Sequence, residues 1–217
     1  MKKTVFTLLI FVFAMQVSFA QTEKYTEAMK SALRALHQSM AGEPKRDELL
    51  GLANRFERIA SAEPTQWLPR YYAAYCYSSL GFMGEDMLEK DQMSDKADAF
   101  LKEAEALTGE SSELWVMKAQ VQQARLAADP MSRWQTYGTK FEESLAKATA
   151  LDPNNPRIYT LRGTTLLYTP DQFGGGKKMA KPVLEKALEK YAEFRPETEL
   201  HPGWGKEQAA WMLSQCN

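Results

Sequence analysis

Two cysteines and two histidines are all that 217 residues offer as thiolate or imidazole ligands. Cys76, Cys216, His37 and His201 are scattered along the chain, with no spacing that places several on one metal, so no metal site is expected. No stretch between Gln21 and Asn217 alternates apolar and polar residues long enough to make a sheet. No low-complexity linker divides the chain, which points to one domain. Lysine and arginine form no clustered surface, and the formal charge is only −1, so a nucleic-acid partner is not expected. A hydrolase needs an activated nucleophile with a base, or paired carboxylates in a cleft. The abundant acids, such as Glu103, Glu105, Glu142 and Glu143, stand instead beside Lys102 and Lys147 as solvated helix faces. An enzyme is therefore not expected.

What is present begins with a leader. Lys2 and Lys3 precede an apolar run from Val5 to Val17, followed by Ser18, Phe19, Ala20 and the polar Gln21. The run is shorter than the roughly 20 residues a spanning helix needs, and small residues stand three and one positions before the cut. This is a secretory signal peptide over residues 1–20, with cleavage predicted after Ala20 and a mature domain over 21–217. No cysteine follows the cut, so lipid modification is not indicated, and a periplasmic or secreted protein without stable membrane insertion is expected. Loss of Lys2 and Lys3 moves the formal charge from −1 to −3.

The mature chain carries a repeat. Tyr25, Trp67, Trp115, Tyr159 and Trp204 are separated by 42, 48, 44 and 45 positions. Ala53, Phe56 and Ile59 precede Trp67 as Leu101, Ala104 and Leu107 precede Trp115 and as Leu145, Ala148 and Leu151 precede Tyr159. Helical periodicity and Gly/Pro punctuation predict helices over 25–40, 45–62, 65–80, 94–107, 113–127, 132–151, 157–168, 178–194 and 204–215. The fold expected is all-α, a right-handed helical-repeat solenoid of about four helix pairs with a C-terminal capping helix. In such an array Cys76 and Cys216 lie several repeats apart, beyond the roughly 7 Å limit between bridged Cα atoms. Cys76 then reads as a small buried residue and Cys216 as a free thiol near the chain end.

Trp115 with Ala119 and Tyr159 with Gly163, then Leu145, Ala148 and Pro153, resemble the two helices of a tetratricopeptide repeat. The spacing here is about 45 rather than the 34 residues of that motif, and Tyr71 is bulky where the family prefers a small residue. The resemblance implies a concave groove lined by the first helices, with contact positions five and eight after each aromatic. These are Lys30, Leu33, Tyr72, Tyr75, Gln120, Gln123, Thr164 and Leu167. Tyr72 and Tyr75 would be the anchors, since tyrosine offers large contact area at low entropy cost. The alternative is that both only cover neighbouring helices.

A second local signal is the run Thr169 to Lys178, which includes Gly174, Gly175, Gly176, Lys177 and Lys178. Three glycines before a helix could form a nest of amides that holds an anion, or simply a tight turn with Phe173 plugging the core. The P-loop spacing is absent. Trp134, Trp204 and Trp211 fit helix packing. These features predict an exported, non-enzymatic adaptor that needs no cofactor and binds a protein or peptide in its groove. The alternative is a small-molecule or anion-binding periplasmic protein using the Gly174–Lys178 loop.

Overall fold

The computed structural model describes residues 23–217. The leader and its cleavage site lie outside the described residues. Helix α1 covers residues 23–40. It is followed by α2 (Arg46–Ala62), α3 (Leu68–Met83), α4 (Met87–Thr108), α5 (Ser112–Ala128) and the short α6 (Pro130–Arg133). After a π-helical turn (Trp134–Gly138) come α7 (Thr139–Leu151), α8 (Pro156–Tyr168), a 3-10 turn (Asp171–Phe173), α9 (Lys177–Glu193) and α10 (Lys206–Ser214). No strand occurs among the described residues, so the all-α expectation holds. No described helix is long and apolar enough to cross a membrane.

Local chemistry sets the helix starts. Asp86, Ser111, Asp129 and Asn155 each accept a bond from a backbone N–H two or three residues on, in Glu89, Leu114, Ser132 and Arg157, and so cap α4, α5, α6 and α8. Pro130 and Pro156 occupy first-turn positions where the missing N–H costs nothing. Gly109, at φ 74°, stops α4 in a conformation a side chain would strain.

Two boundaries differ from expectation. Gly81 lies inside α3, where the sequence reads as the start of a loop, because a Cβ there would stand 3.1 Å from Ser94 Oγ and 3.3 Å from Ala124 Cβ. The glycine serves a close three-helix approach, and Asp86 starts α4 seven residues before the predicted Ser94. The predicted helix from Ser132 is interrupted by the π turn, held where Arg133 makes two 2.7 Å bonds to Asp91 of α4.

Helices α2 to α6 pack on their neighbours in sequence, as do α7 to α10, and α5 also packs on α3, α7 and α8. Leu49, Phe56, Tyr71, Leu101, Met117, Phe141 and Ile158 belong to one core that runs through most of the molecule. At Gly163 a Cβ would come within 2.6 Å of Leu184, so α8 and α9 approach closely there. Yet a simple stack in which each repeat meets only the next does not describe the chain. The segment 195–205 turns back to the middle of the array: Tyr72 bonds Leu200 O across 128 positions and Trp204 bonds Tyr71 across 133. Trp204, predicted to open the last helix, precedes α10 and is buried in this segment.

Candidate functional site

The face predicted to be an open groove is filled by the chain itself. Tyr72 is 3 % and Tyr75 5 % exposed. The Tyr72 hydroxyl donates to Leu200 O at 3.0 Å, and the Trp204 ring lies 4.9 Å from that of Tyr75. Trp204 Nε1 donates to the Tyr71 hydroxyl at 2.9 Å, and the Tyr191 hydroxyl donates to Trp204 O at 3.0 Å. Lys30 pairs with Glu199 at 2.7 Å, so α1 also grips the segment.

The remaining predicted groove residues make helix–helix contacts. Gln120 donates to Ser78 Oγ at 2.8 Å, and Gln123 donates to Thr165 Oγ1 at 2.8 Å. Leu33 and Thr164 are buried, and Leu167 packs against the cluster of Ala180, Leu184 and Met212. The tyrosines thus cover neighbouring chain, which is the alternative the sequence left open.

Behind the segment lies a buried ion pair. Arg157, with no exposed side-chain surface, donates to Glu113 Oε1 at 2.8 Å, and its other arm donates to Pro202 O. Asn155 and Tyr71 complete the carboxylate's partners at 3.0 and 3.2 Å. Burial lifts the Glu113 carboxyl above its ordinary range despite the pull of Arg157. Burial likewise pushes the Tyr191 hydroxyl up to about 12. These groups fasten the C-terminal segment to α3, α5, α8 and α9, and they offer no open face to a substrate.

The glycine loop is a turn. The amides of Gly174, Gly175 and Gly176 donate to Asp171 O, Pro170 O and Leu166 O, so none of the three is left to hold an anion. Gly174 and Gly176 take φ of 83° and 86°, which explains the glycines. Phe173, 64 % exposed, does not plug the core. Lys177 donates to Asn217 O at 3.4 Å, and Lys178 is exposed on the first turn of α9.

Neither histidine is placed as a metal ligand. His201 is held by Thr198 at 2.7 Å and Glu197 at 3.3 Å against the Trp67 ring, and His37 is exposed. The described residues contain no cluster of three potential metal ligands. Both cysteines are free, and burial raises the Cys76 thiol far out of the reactive range.

An open concavity lies elsewhere, on the outer side of α5. A trough of about 290 Å³ has α5 as its floor, with Trp115, Lys118 and Gln122. One wall is α4, with Asp98, Leu101, Lys102 and Glu105, and the other is α7, with Lys140, Glu143, Ser144 and Lys147. All three stripes recur at helical spacing, so straight neighbouring helices suffice to build it.

Lys118 and Lys147 lie 3.9 and 4.1 Å from the Trp115 ring centroid. Lys118 also pairs with Glu105 at 2.7 Å. Trp115 Nε1 and Gln122 Oε1 are buried without a hydrogen-bond partner. Sequence reasoning missed this site because Lys102, Glu105, Glu143 and Lys147 read as ordinary solvated helix faces. The spacing of Trp115, Lys118 and Gln122 was the available signal.

No known protein-family description matches the chain, and no curated protein is significantly similar to it. Among solved structures it is similar to the HusA haemophore from Porphyromonas gingivalis, at 38 % identity and a TM-score of 0.77. The match covers 89 % of this chain and 92 % of that one. This overturns the adaptor expectation, because the related protein is a haemophore, a carrier of a small molecule. The small-molecule alternative is favoured, although the glycine loop proposed for it is a closed turn.

Proposed function

The chain belongs to the family of the HusA haemophore, and from that relationship we propose that it is an exported binding protein for haem or a haem-like porphyrin. The observation that carries this reading is identity of 38 % sustained over nearly the whole of both chains. The same reading takes the protein as a non-enzymatic carrier, periplasmic or secreted after loss of its leader, whose helix pairs are a divergent tetratricopeptide-type array. A carrier of this kind delivers its ligand to a receptor, which replaces the unspecified protein partner of the adaptor scheme.

Haem is often held through a histidine–iron bond. His201 is already engaged by Thr198 and Glu197, and no histidine, tyrosine, methionine or cysteine lines the trough on α5, so the trough offers iron none of these ligands. Affinity is therefore assigned to the macrocycle and its carboxylates. The test is an absorbance titration of the mature protein with haem and with iron-free protoporphyrin. Saturable binding of both is expected. Failure to bind either would reject the function, and binding of haem alone would return the iron to the centre of recognition.

A further inference from the structure

The trough on α5 gathers four lysines, Lys102, Lys118, Lys140 and Lys147, against three carboxylates, Asp98, Glu105 and Glu143. Two ammonium groups are gathered on one indole ring, which concentrates positive charge, and only Lys118 has an ion-pair partner among the described residues. Lys102, Lys140 and Lys147 line the same space without a carboxylate in ion-pair range among the described residues. Trp115 also lines the trough, and its N–H is buried with no acceptor among the described residues, a loss that a ligand or water can offset. The buried amide oxygen of Gln122 lies in the same lining and is unpartnered too. Five such side-chain atoms occur among the described residues, and two of them belong to residues that line this one concavity.

Resting on the porphyrin reading, we propose that this trough receives the carboxylate edge of the ligand. Lys147 and Lys118 neutralise the carboxylates, and Trp115 Nε1 donates to one of their oxygens. At about 290 Å³ the trough lies at the small end of sites that enclose a small molecule, so the macrocycle itself stays outside its mouth. Lys140 marks the way out. It lines the trough and also lies 5.5 Å from the ring centroid of Tyr137 on the π turn, where Trp134 is 60 % exposed. The exposed Trp134 ring offers an apolar surface beside the charged end, while the Tyr137 ring carries Arg125, Arg133 and Lys140 over it.

The experiment compares protoporphyrin with the same macrocycle carrying both carboxylates as neutral methylamides. Each is titrated into the mature protein and into Lys147→Gln and Trp115→Phe variants, with circular dichroism confirming the fold. Wild type is expected to prefer the diacid by roughly tenfold or more, as charge-assisted hydrogen bonds require. Each variant is expected to narrow that preference several-fold while binding the diamide about as well as wild type. The Trp115 indole N–H resonance is expected to move on adding the diacid. Equal wild-type affinity for diacid and diamide would overturn the carboxylate site while leaving porphyrin binding intact. So would a preference that both variants retain. Binding of neither compound would overturn the porphyrin reading and the site together.

Discussion

Glu113 and Trp115 stand two residues apart on α5 and face opposite ways, and around them the molecule builds two contrasting regions. On the Glu113 side the tyrosine-rich face is closed: Arg157, Tyr71, Tyr72 and Tyr191 are bonded to residues 200–204 of the same chain. On the Trp115 side, charged and polar groups line an open trough, and two buried polar atoms have no partner. The first region pairs most of its polar groups internally, Arg157 Nε excepted, and therefore contributes to stability. The second has unmet hydrogen-bonding capacity and is suited to a ligand. Richness in aromatic residues alone does not separate the two, since both contain tryptophan. The separation comes from what covers them, the chain's own segment 195–205 on one side and solvent on the other.

Substitutions should widen or collapse this contrast. The largest effect is expected from Arg157→Ala, which leaves Glu113 buried without its partner. Breaking such a pair costs about 3–5 kcal/mol, read as a large fall in the thermal midpoint, and a loss below about 1 kcal/mol would mean that the closed region is not held by its ion pair. Next is Trp204→Ala, expected to cost about 3 kcal/mol because a buried ring and its bond to Tyr71 are both removed. Urea unfolding measures it, and an unchanged midpoint would show that residues 195–205 lie over the tyrosines without stabilising them.

Tyr72→Phe removes only the hydroxyl that reaches Leu200 O and should cost about 1 kcal/mol by the same measurement. Lys147→Gln, in the open region, should change stability by no more than about 0.5 kcal/mol, since the side chain is exposed. A larger loss would place the trough among the structural parts of the molecule.

The smallest effect is a pH dependence at the π turn. The bond from Arg133 holds the Asp91 carboxyl below its usual range. Its contribution is therefore present above the ordinary aspartate value and is lost as pH falls through the lowered one. Urea midpoints of wild type and Asp91→Asn should differ at neutral pH and converge on acidification. A gap independent of pH would assign the effect to packing.

Helix identity was legible because each turn carries its own evidence. Ser111 and Asn155 are capping residues by type, and Leu49, Phe56, Leu145 and Ala148 repeat at the period of a buried stripe. The small residue at 163 could be read in the same way, because close helix approach demands it. Gly81 was ambiguous, since glycine serves both loops and close contacts, and only the positions of Ser94 and Ala124 decide between them. The glycine run at 174–176 was visible as a turn or a nest. Which it is depends on Leu166 and Pro170 carbonyls supplied by the preceding helix and loop.

Sequence by itself therefore determined an all-helical chain, its approximate boundaries and the aromatic series. These rest on interactions within a few residues, where spacing translates directly into geometry. Tertiary structure alone decided that Tyr72 and Tyr75 are covered by a segment some 130 positions away and that Lys118 and Lys147 meet on Trp115. Contacts between distant segments leave no period in the sequence, because they are fixed by how whole helices pack and not by the residues that finally touch.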